Sequence, residues 1–113
     1  MPLAMTPDVN VLIAASRSDH PQHKIAFAVL SEAVTACADG ASLTLMPMVL
    51  ASFLRLVTNP KIFVQPTPLA DAIGFVDALA AVPGSDMPAL GPEWPIFRQI
   101  CMEKRLSVND IAD

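Results

Sequence analysis

The sequence has few charged residues, and most of those it has are acidic. Asp, Glu, Lys and Arg together make up 16% of the 113 residues, and the formal net charge is −4. We therefore do not expect a strongly basic surface of the kind that binds a phosphate backbone by charge alone. The acidic excess does not exclude a nuclease whose carboxylates hold metal ions, because a bound cation supplies positive charge at the site itself.

Several common sequence signatures are also absent. The chain contains no GxGxxG, P-loop or GxSxG pattern, so it predicts neither a dinucleotide site, nor a P-loop nucleotide site, nor a serine hydrolase. Its two cysteines, Cys37 and Cys101, are far apart and form no CxxC motif. This spacing favours reduced thiols in a cytosolic protein over a disulfide.

Long hydrophobic runs are lacking as well. Pro, Asp or Arg interrupts each apolar stretch before it reaches the length needed to span a bilayer. The first ten residues have no basic segment and already contain Pro7 and Asp8, which does not fit a secretory signal. We therefore expect a cytoplasmic protein with no membrane partner.

What the chain does have is apolar content, at 53% of its residues. This is enough to form the core of one domain, which we assign to residues 1–113. Short extended segments alternate with longer helical ones. The strands are predicted at 3–7, 42–46 and 86–90, and the helices at 10–19, 20–40, 48–59, 67–84 and 92–105. Strands separated by helices predict βαβ units and a mostly parallel sheet with helices on both faces.

Two of the predicted helices have a recognisable apolar face. In the 20–40 helix that face carries Ile25, Val29 and Ala33, and Gly40 is placed to end the helix. In the 67–84 helix Thr67 is the predicted N-cap, and the stripe contains Leu69, Ile73, Val76 and Ala80.

Asp8 is the first candidate for chemistry. It follows the first predicted strand, and ligands bind beyond the carboxyl ends of the strands in open parallel sheets. Asn10 is placed either to cap the next helix or to hold Asp8 in position. The alternative is that Asp8 itself does no more than cap that helix.

Arg55 and the histidines allow two interpretations each. Arg55 on the 48–59 helix either extends its head into solvent, which we favour, or holds a carboxylate or phosphate. His20 and His23 have i, i+3 spacing, but Pro21 follows His20 directly and no cysteine or third histidine lies near in the sequence. A solvated helix start is favoured over a zinc site.

Three segments, "PDVNVLIAASRSDHPQH", "ASFLRLVTNPKIF" and "LSVNDIAD", together resemble the PIN-domain ribonucleases, and most of all the VapC-type toxins of bacterial toxin–antitoxin pairs. The resemblance implies a three-layer α/β/α fold around a mostly parallel sheet. It also implies an acidic cluster that binds Mg²⁺ or Mn²⁺, activates water and cuts RNA, together with a cognate antitoxin as protein partner.

The resemblance also assigns the site residues. Asp8 matches the first acidic residue of the family and Asn10 its neighbouring asparagine. Asp113 matches the acid that opens a later helix, with Asn109 and Asp110 just before it. Asp8 and Asp113 are thus the expected catalytic and metal-binding residues, and Asp110 is an expected auxiliary ligand.

Two departures from the family pattern affect these expectations. Where the family commonly has glutamate, immediately before Phe-Leu-Arg, this chain has Ser52, so we expect Ser52 and Arg55 to support the site and metal binding to be weak. The family also continues past the position of Asp113 with a helix, a strand beside the first one and a final acid. We therefore expect an incomplete domain that lacks this helix-strand part and pairs as a homodimer or with a partner.

The leading functional hypothesis is thus a metal-dependent endoribonuclease of the toxin–antitoxin type, with activity of this form in question. The alternative is a non-catalytic PIN-like module that binds an antitoxin or a second copy of itself. A structural remnant is the third hypothesis.

Overall fold

A computed structural model describes residues 4–87, 98–100 and 102. The elements, in chain order, are β1 Ala4–Met5, α1 Val9–Ser16, α2 His23–Cys37, β2 Ser42–Thr44, α3 Pro47–Val57, α4 Leu69–Ala80 and β3 Ser85–Asp86. Residues 98–100 and 102 are also helical, and the rest of the helix predicted at 92–105 lies outside the described residues.

The three strands form a parallel sheet in the order β1-β2-β3. Met5 is in register with Leu43, and Leu43 with Ser85. Because helices connect the parallel strands, the predicted α/β class and the PIN-like arrangement are confirmed. β1 and β2 are shorter than predicted, β3 begins one residue earlier than predicted, and residues 88–90 of the third predicted strand lie outside the described residues. Pro7 follows β1 and Pro47 opens α3, and neither has an N–H for a ladder bond.

The core contains buried side chains from helices α1 to α4 and from β2. Phe53, Leu54 and Val57 of α3 are fully buried, as is Leu43 in the middle of β2. Each such side chain contributes about 1.5 to 3 kcal/mol relative to an exposed position. The predicted stripe of α4 is also confirmed, since Ile73 and Val76 are buried while Leu69 and Ala80 pack at the edge of the core.

The predicted core face of α2 is wrong at Ile25 and Val29, whereas Ala33 does pack against the core. Ile25 and Val29 are 66% and 43% exposed, whereas Ala26, Leu30 and Cys37 are buried. Both sets have helical spacing, because α2 is apolar around most of its circumference. The set that contains Ala26, Leu30 and Cys37 faces inward, where α2 packs against α1.

The ends of two helices follow the sequence to different degrees. Gly40 ends α2 as predicted: its φ of +94° allows the Ala41 N–H to reach the Ala36 carbonyl oxygen at 3.1 Å. Thr67 is not a cap, because α4 begins at Leu69 and no side chain caps it. The Thr67 hydroxyl instead accepts a hydrogen bond from Arg17.

Candidate functional site

Asp8 lies at the carboxyl end of β1, three residues past Met5, and is exposed to solvent. Its backbone is extended, and its Oδ1 accepts a hydrogen bond from the Val11 N–H at 3.0 Å. This is an N-cap, so the capping interpretation is correct at the level of structure. The cap occupies one carboxylate oxygen, and Oδ2 has no hydrogen bond within the described part of the chain.

A cavity of about 390 Å³ opens beside Asp8 between α1 and α2, within the size range of small-molecule sites in proteins. Its polar lining residues are Asp8, Asn10, His20 and Gln22. Its apolar lining residues are Val11, Ala14, Ile25, Ala26 and Val29. The cavity thus pairs an apolar floor with a few polar groups, and the exposed Ile25 and Val29 are part of that floor.

Among the predicted supporting residues that the structure describes, Asn10 alone lines this cavity with Asp8. It lies in the first turn of α1 and is exposed. Ser52 and Arg55 lie on α3 and are half-buried, and neither lines this cavity. Within the described part of the chain, Arg55 makes no hydrogen bond or ion pair, which agrees with an arginine that extends along its helix towards solvent.

The other predicted acids cannot be located. Asn109, Asp110 and Asp113 lie outside the described residues, so their proximity to Asp8 stays a prediction. Among residues 4–87, 98–100 and 102, no three His, Cys, Asp or Glu side chains come together as a metal-binding group. Asp8 is therefore the only one of the predicted acidic ligands that the structure locates.

The two histidines have separate structural partners. The Nδ1–H of His23 donates to the Ala14 carbonyl oxygen at 2.9 Å, and its ring lies 5.5 Å from that of Phe27. The Nδ1 of His20 accepts from the Gln22 N–H at 3.0 Å. His23 thus ties α2 to α1, while His20 closes the turn before α2.

Arg17 is the residue that sequence reasoning missed. It is the one buried charged residue in the described part of the chain, and its guanidinium lies 3.8 Å from the centre of the Phe63 ring. It donates to both carboxylate oxygens of Asp19 at 3.1 and 2.8 Å, to the Thr67 hydroxyl at 2.9 Å and to the Gln65 carbonyl oxygen at 2.8 Å. Arg17 therefore fastens the turn between α1 and α2 to the segment between α3 and α4.

This contact also changes the acidity of Asp19. The hydrogen bonds from Arg17 hold the pKa of the Asp19 carboxyl below its usual range. Asp19 is therefore negatively charged at neutral pH and serves as the counter-ion of Arg17. No sequence signal identified the pair, although the spacing "RSD" places the carboxylate two residues from the guanidinium.

Comparison with curated proteins gives several similar relatives. Ribonuclease VapC25 of Mycobacterium tuberculosis is 40% identical over 107 residues, which cover 94% of this chain and 73% of that protein. VapC ribonuclease Mb2897 of Mycobacterium bovis is 39% identical over 94% of this chain and 71% of its own length. This chain belongs to the VapC ribonuclease family. Ribonuclease VapC31 of M. tuberculosis, at 38% identity over the same share of this chain, agrees with that assignment.

No family model matches the chain. The family assignment therefore rests on the pairwise identities, and these extend well beyond the three segments that first suggested it. It confirms the predicted PIN-like, VapC-type relationship. Within the described residues, no helix has the length and apolar character to cross a membrane.

Proposed function

We propose that this VapC-family chain is a metal-dependent endoribonuclease of the toxin–antitoxin type, which hydrolyses phosphodiester bonds in RNA. One observation carries the proposal. The first acid of the family pattern, Asp8, lies exposed at the carboxyl end of β1 and lines a cavity with polar groups at its border. In a parallel α/β sheet this is the position where ligands bind.

The donor atoms at Asp8 suit a hard divalent cation. Its Oδ2 has no hydrogen bond in the described part of the chain, and carboxylate oxygens are preferred ligands of Mg²⁺ and Mn²⁺. Asp110 and Asp113 are the proposed further ligands. A bound divalent ion supplies positive charge for the scissile phosphate and makes a water more acidic. Ser52, at the position where the family commonly has glutamate, provides no charge, so we expect weak metal binding.

The chain's own residues contribute position and shape. The hydrogen bond between Asp8 Oδ1 and the Val11 N–H fixes the carboxylate at the start of α1. Asn10, two residues on, supplies an uncharged polar group to the same cavity.

A specific observation favours a second function, binding without catalysis to an antitoxin or to a second copy of the chain. In the described sheet β1 is an edge strand that pairs only with β2. Its other side therefore has backbone groups that are free to pair with another chain. A cavity of about 430 Å³ lies beside Ala4 and Met5, and Val29 belongs to both this cavity and the one at Asp8. We propose that the antitoxin or a second copy of the chain binds to this surface. We also propose that the protein is located in the cytoplasm.

Cleavage of a labelled single-stranded RNA in Mg²⁺ or Mn²⁺ distinguishes the two functions. The nuclease proposal expects internal cuts by the parent chain and none by Asp8→Asn. Asparagine is as good an N-cap as aspartate, so this change removes charge while keeping the helix start. Asp39→Asn is the matched control, because Asp39 is exposed in the turn after α2 and lines neither cavity.

Equal cleavage by the parent chain and Asp8→Asn would contradict the assignment of Asp8. A parent chain that cuts no RNA but changes mass on adding its antitoxin, or forms a dimer by light scattering, would support the binding function.

A further inference from the structure

The cavity at Asp8 contains a second polar group that the proposed function does not use, the imidazole of His20. His20 is half-buried and lines the cavity together with Asp8. It belongs to the turn that joins α1 to α2, so two different segments place Asp8 and His20 on the same cavity. The sequence did not predict that His20 and Asp8 share a cavity, because its local spacing relates His20 only to His23.

Hydrogen bonds fix both the position and the protonated nitrogen of His20. Its backbone N–H donates to the Arg17 carbonyl oxygen at 3.1 Å, and its own carbonyl oxygen accepts from the His23 N–H at 3.0 Å. The ring Nδ1 accepts from the Gln22 N–H at 3.0 Å. Because a backbone N–H only donates, Nδ1 carries the lone pair, and the proton of the neutral ring is on Nε2.

The Nε2–H is thus a prepared donor with no partner within the described part of the chain. The Arg17 contacts hold the turn that carries it. The side chain of Arg17 is only 6% exposed and is bonded to both Thr67 and Gln65. Arg17 is thus anchored by its side chain, and its carbonyl oxygen accepts from the His20 N–H, so His20 follows an anchored residue.

We propose that His20 binds the RNA substrate. Its Nε2–H donates to a phosphate oxygen of the RNA strand that is bound at Asp8. This inference rests on the proposed function and adds to it a substrate contact. A protein of net charge −4 with a carboxylate at its site repels a polyanion, so a fixed donor in the same cavity offsets part of that repulsion. The nearest lysine in sequence, Lys24, is exposed and does not line the cavity.

Two substitutions separate this role from the structural role of the ring. His20→Asn keeps an acceptor for the Gln22 N–H, since asparagine makes the same bond to the residue two positions on. It lacks a donor at the position of Nε2. His20→Gln loses the turn acceptor but places an amide N–H near that position. Lys24→Ala is the control for loss of a nearby positive charge.

Steady-state cleavage of a labelled single-stranded RNA is the first measurement. We expect His20→Asn to raise KM about tenfold with little change in kcat, because one hydrogen bond to a charged oxygen is lost. His20→Gln should stay within about threefold of the parent KM, since its donor remains. Mn²⁺ binding by calorimetry should be unchanged in both variants. A reversed order, with His20→Gln worse than His20→Asn, would show a structural role and overturn the proposal.

RNA binding by the Asp8→Asn variant, followed by fluorescence anisotropy, separates this proposal from the proposed function. If the parent chain cuts no RNA but His20→Asn weakens binding in the Asp8→Asn background, the nuclease proposal fails and the His20 contact stands. If the parent chain cuts RNA and His20→Asn matches it in KM and affinity, the His20 contact fails alone. An equal loss in Lys24→Ala, or no RNA binding by any form, also overturns it.

Discussion

Replacing Arg17, a buried residue in the turn after α1, with methionine should destabilise the protein strongly. Methionine keeps most of the length of the side chain but removes the guanidinium and its bonds to Thr67 and Gln65, at 2.9 and 2.8 Å. Hydrogen bonds to a charged group contribute about 1.5 kcal/mol each at the low end of their range. The stacking on Phe63 adds about 0.5 to 1 kcal/mol. We therefore expect the free energy of unfolding to fall by about 3.5 to 4 kcal/mol, with the exposed Asp19 contact left out.

Urea unfolding followed by far-ultraviolet circular dichroism measures this loss. The matched control is Arg55→Met, because Arg55 is half-buried on α3 and makes no hydrogen bond or ion pair in the described part of the chain. It should change stability by no more than about 0.5 kcal/mol. Thr67→Val should cost about 1 kcal/mol, and less in the Arg17→Met background. An Arg17→Met variant as stable as the Arg55→Met variant would refute the role of Arg17 as an anchor.

Three further predictions test local features. Gly84→Ala should lower the free energy of unfolding by at least about 1 kcal/mol more than Gly40→Ala, as measured by paired urea unfolding curves. Both glycines have positive φ, but only at Gly84 would the new Cβ meet a backbone carbonyl oxygen, at 2.9 Å. Because the pKa of Asp19 is lowered in the folded protein, its stabilising effect is complete above the pKa of an unfolded aspartate and is lost as the pH falls through the folded pKa. The difference in free energy of unfolding between the parent chain and Asp19→Asn should therefore shrink in acid. A difference that stays constant with pH would contradict this. Asp8→Ala should destabilise by about 1 kcal/mol and Asp8→Asn by only a few tenths, since only alanine loses the cap, and equal thermal midpoints would contradict the capping role.

The sequence predicted those features in which only one arrangement satisfies the pattern. The positions of α4 opposite the stripe of Ile73 and Val76 are Asp71, Gly74 and Ala78, which are polar or small, so the buried face followed directly. Gly40 ended α2 because a positive φ there favours glycine. Asp8 was placed correctly after the first strand, although β1 ends at Met5, two residues before its predicted end, because Pro7 cannot extend the helix or the ladder across this point.

The features that the sequence could not predict depend on distant contacts. On α2, Ile25 and Ala26 both belong to apolar stripes, and only the packing against α1 decides which is buried. The role of Arg17 depends on partners about fifty residues away, at Gln65 and Thr67. Local spacing contains no information about such contacts, and it also could not show that His20 shares a cavity with Asp8.

The dependence of RNA cleavage on Mn²⁺ concentration tests most directly whether Asp8 holds the divalent ion of a ribonuclease. The cleavage rate of the parent chain and of Asp39→Asn should be zero in chelator and should rise with Mn²⁺ to a plateau, at concentrations that reflect weak binding. The rate of Asp8→Asn should stay at the chelator level throughout. Cleavage by the parent chain in chelator, or an Mn²⁺ curve for Asp8→Asn that overlays that of the parent chain, would contradict the metal-dependent site at Asp8.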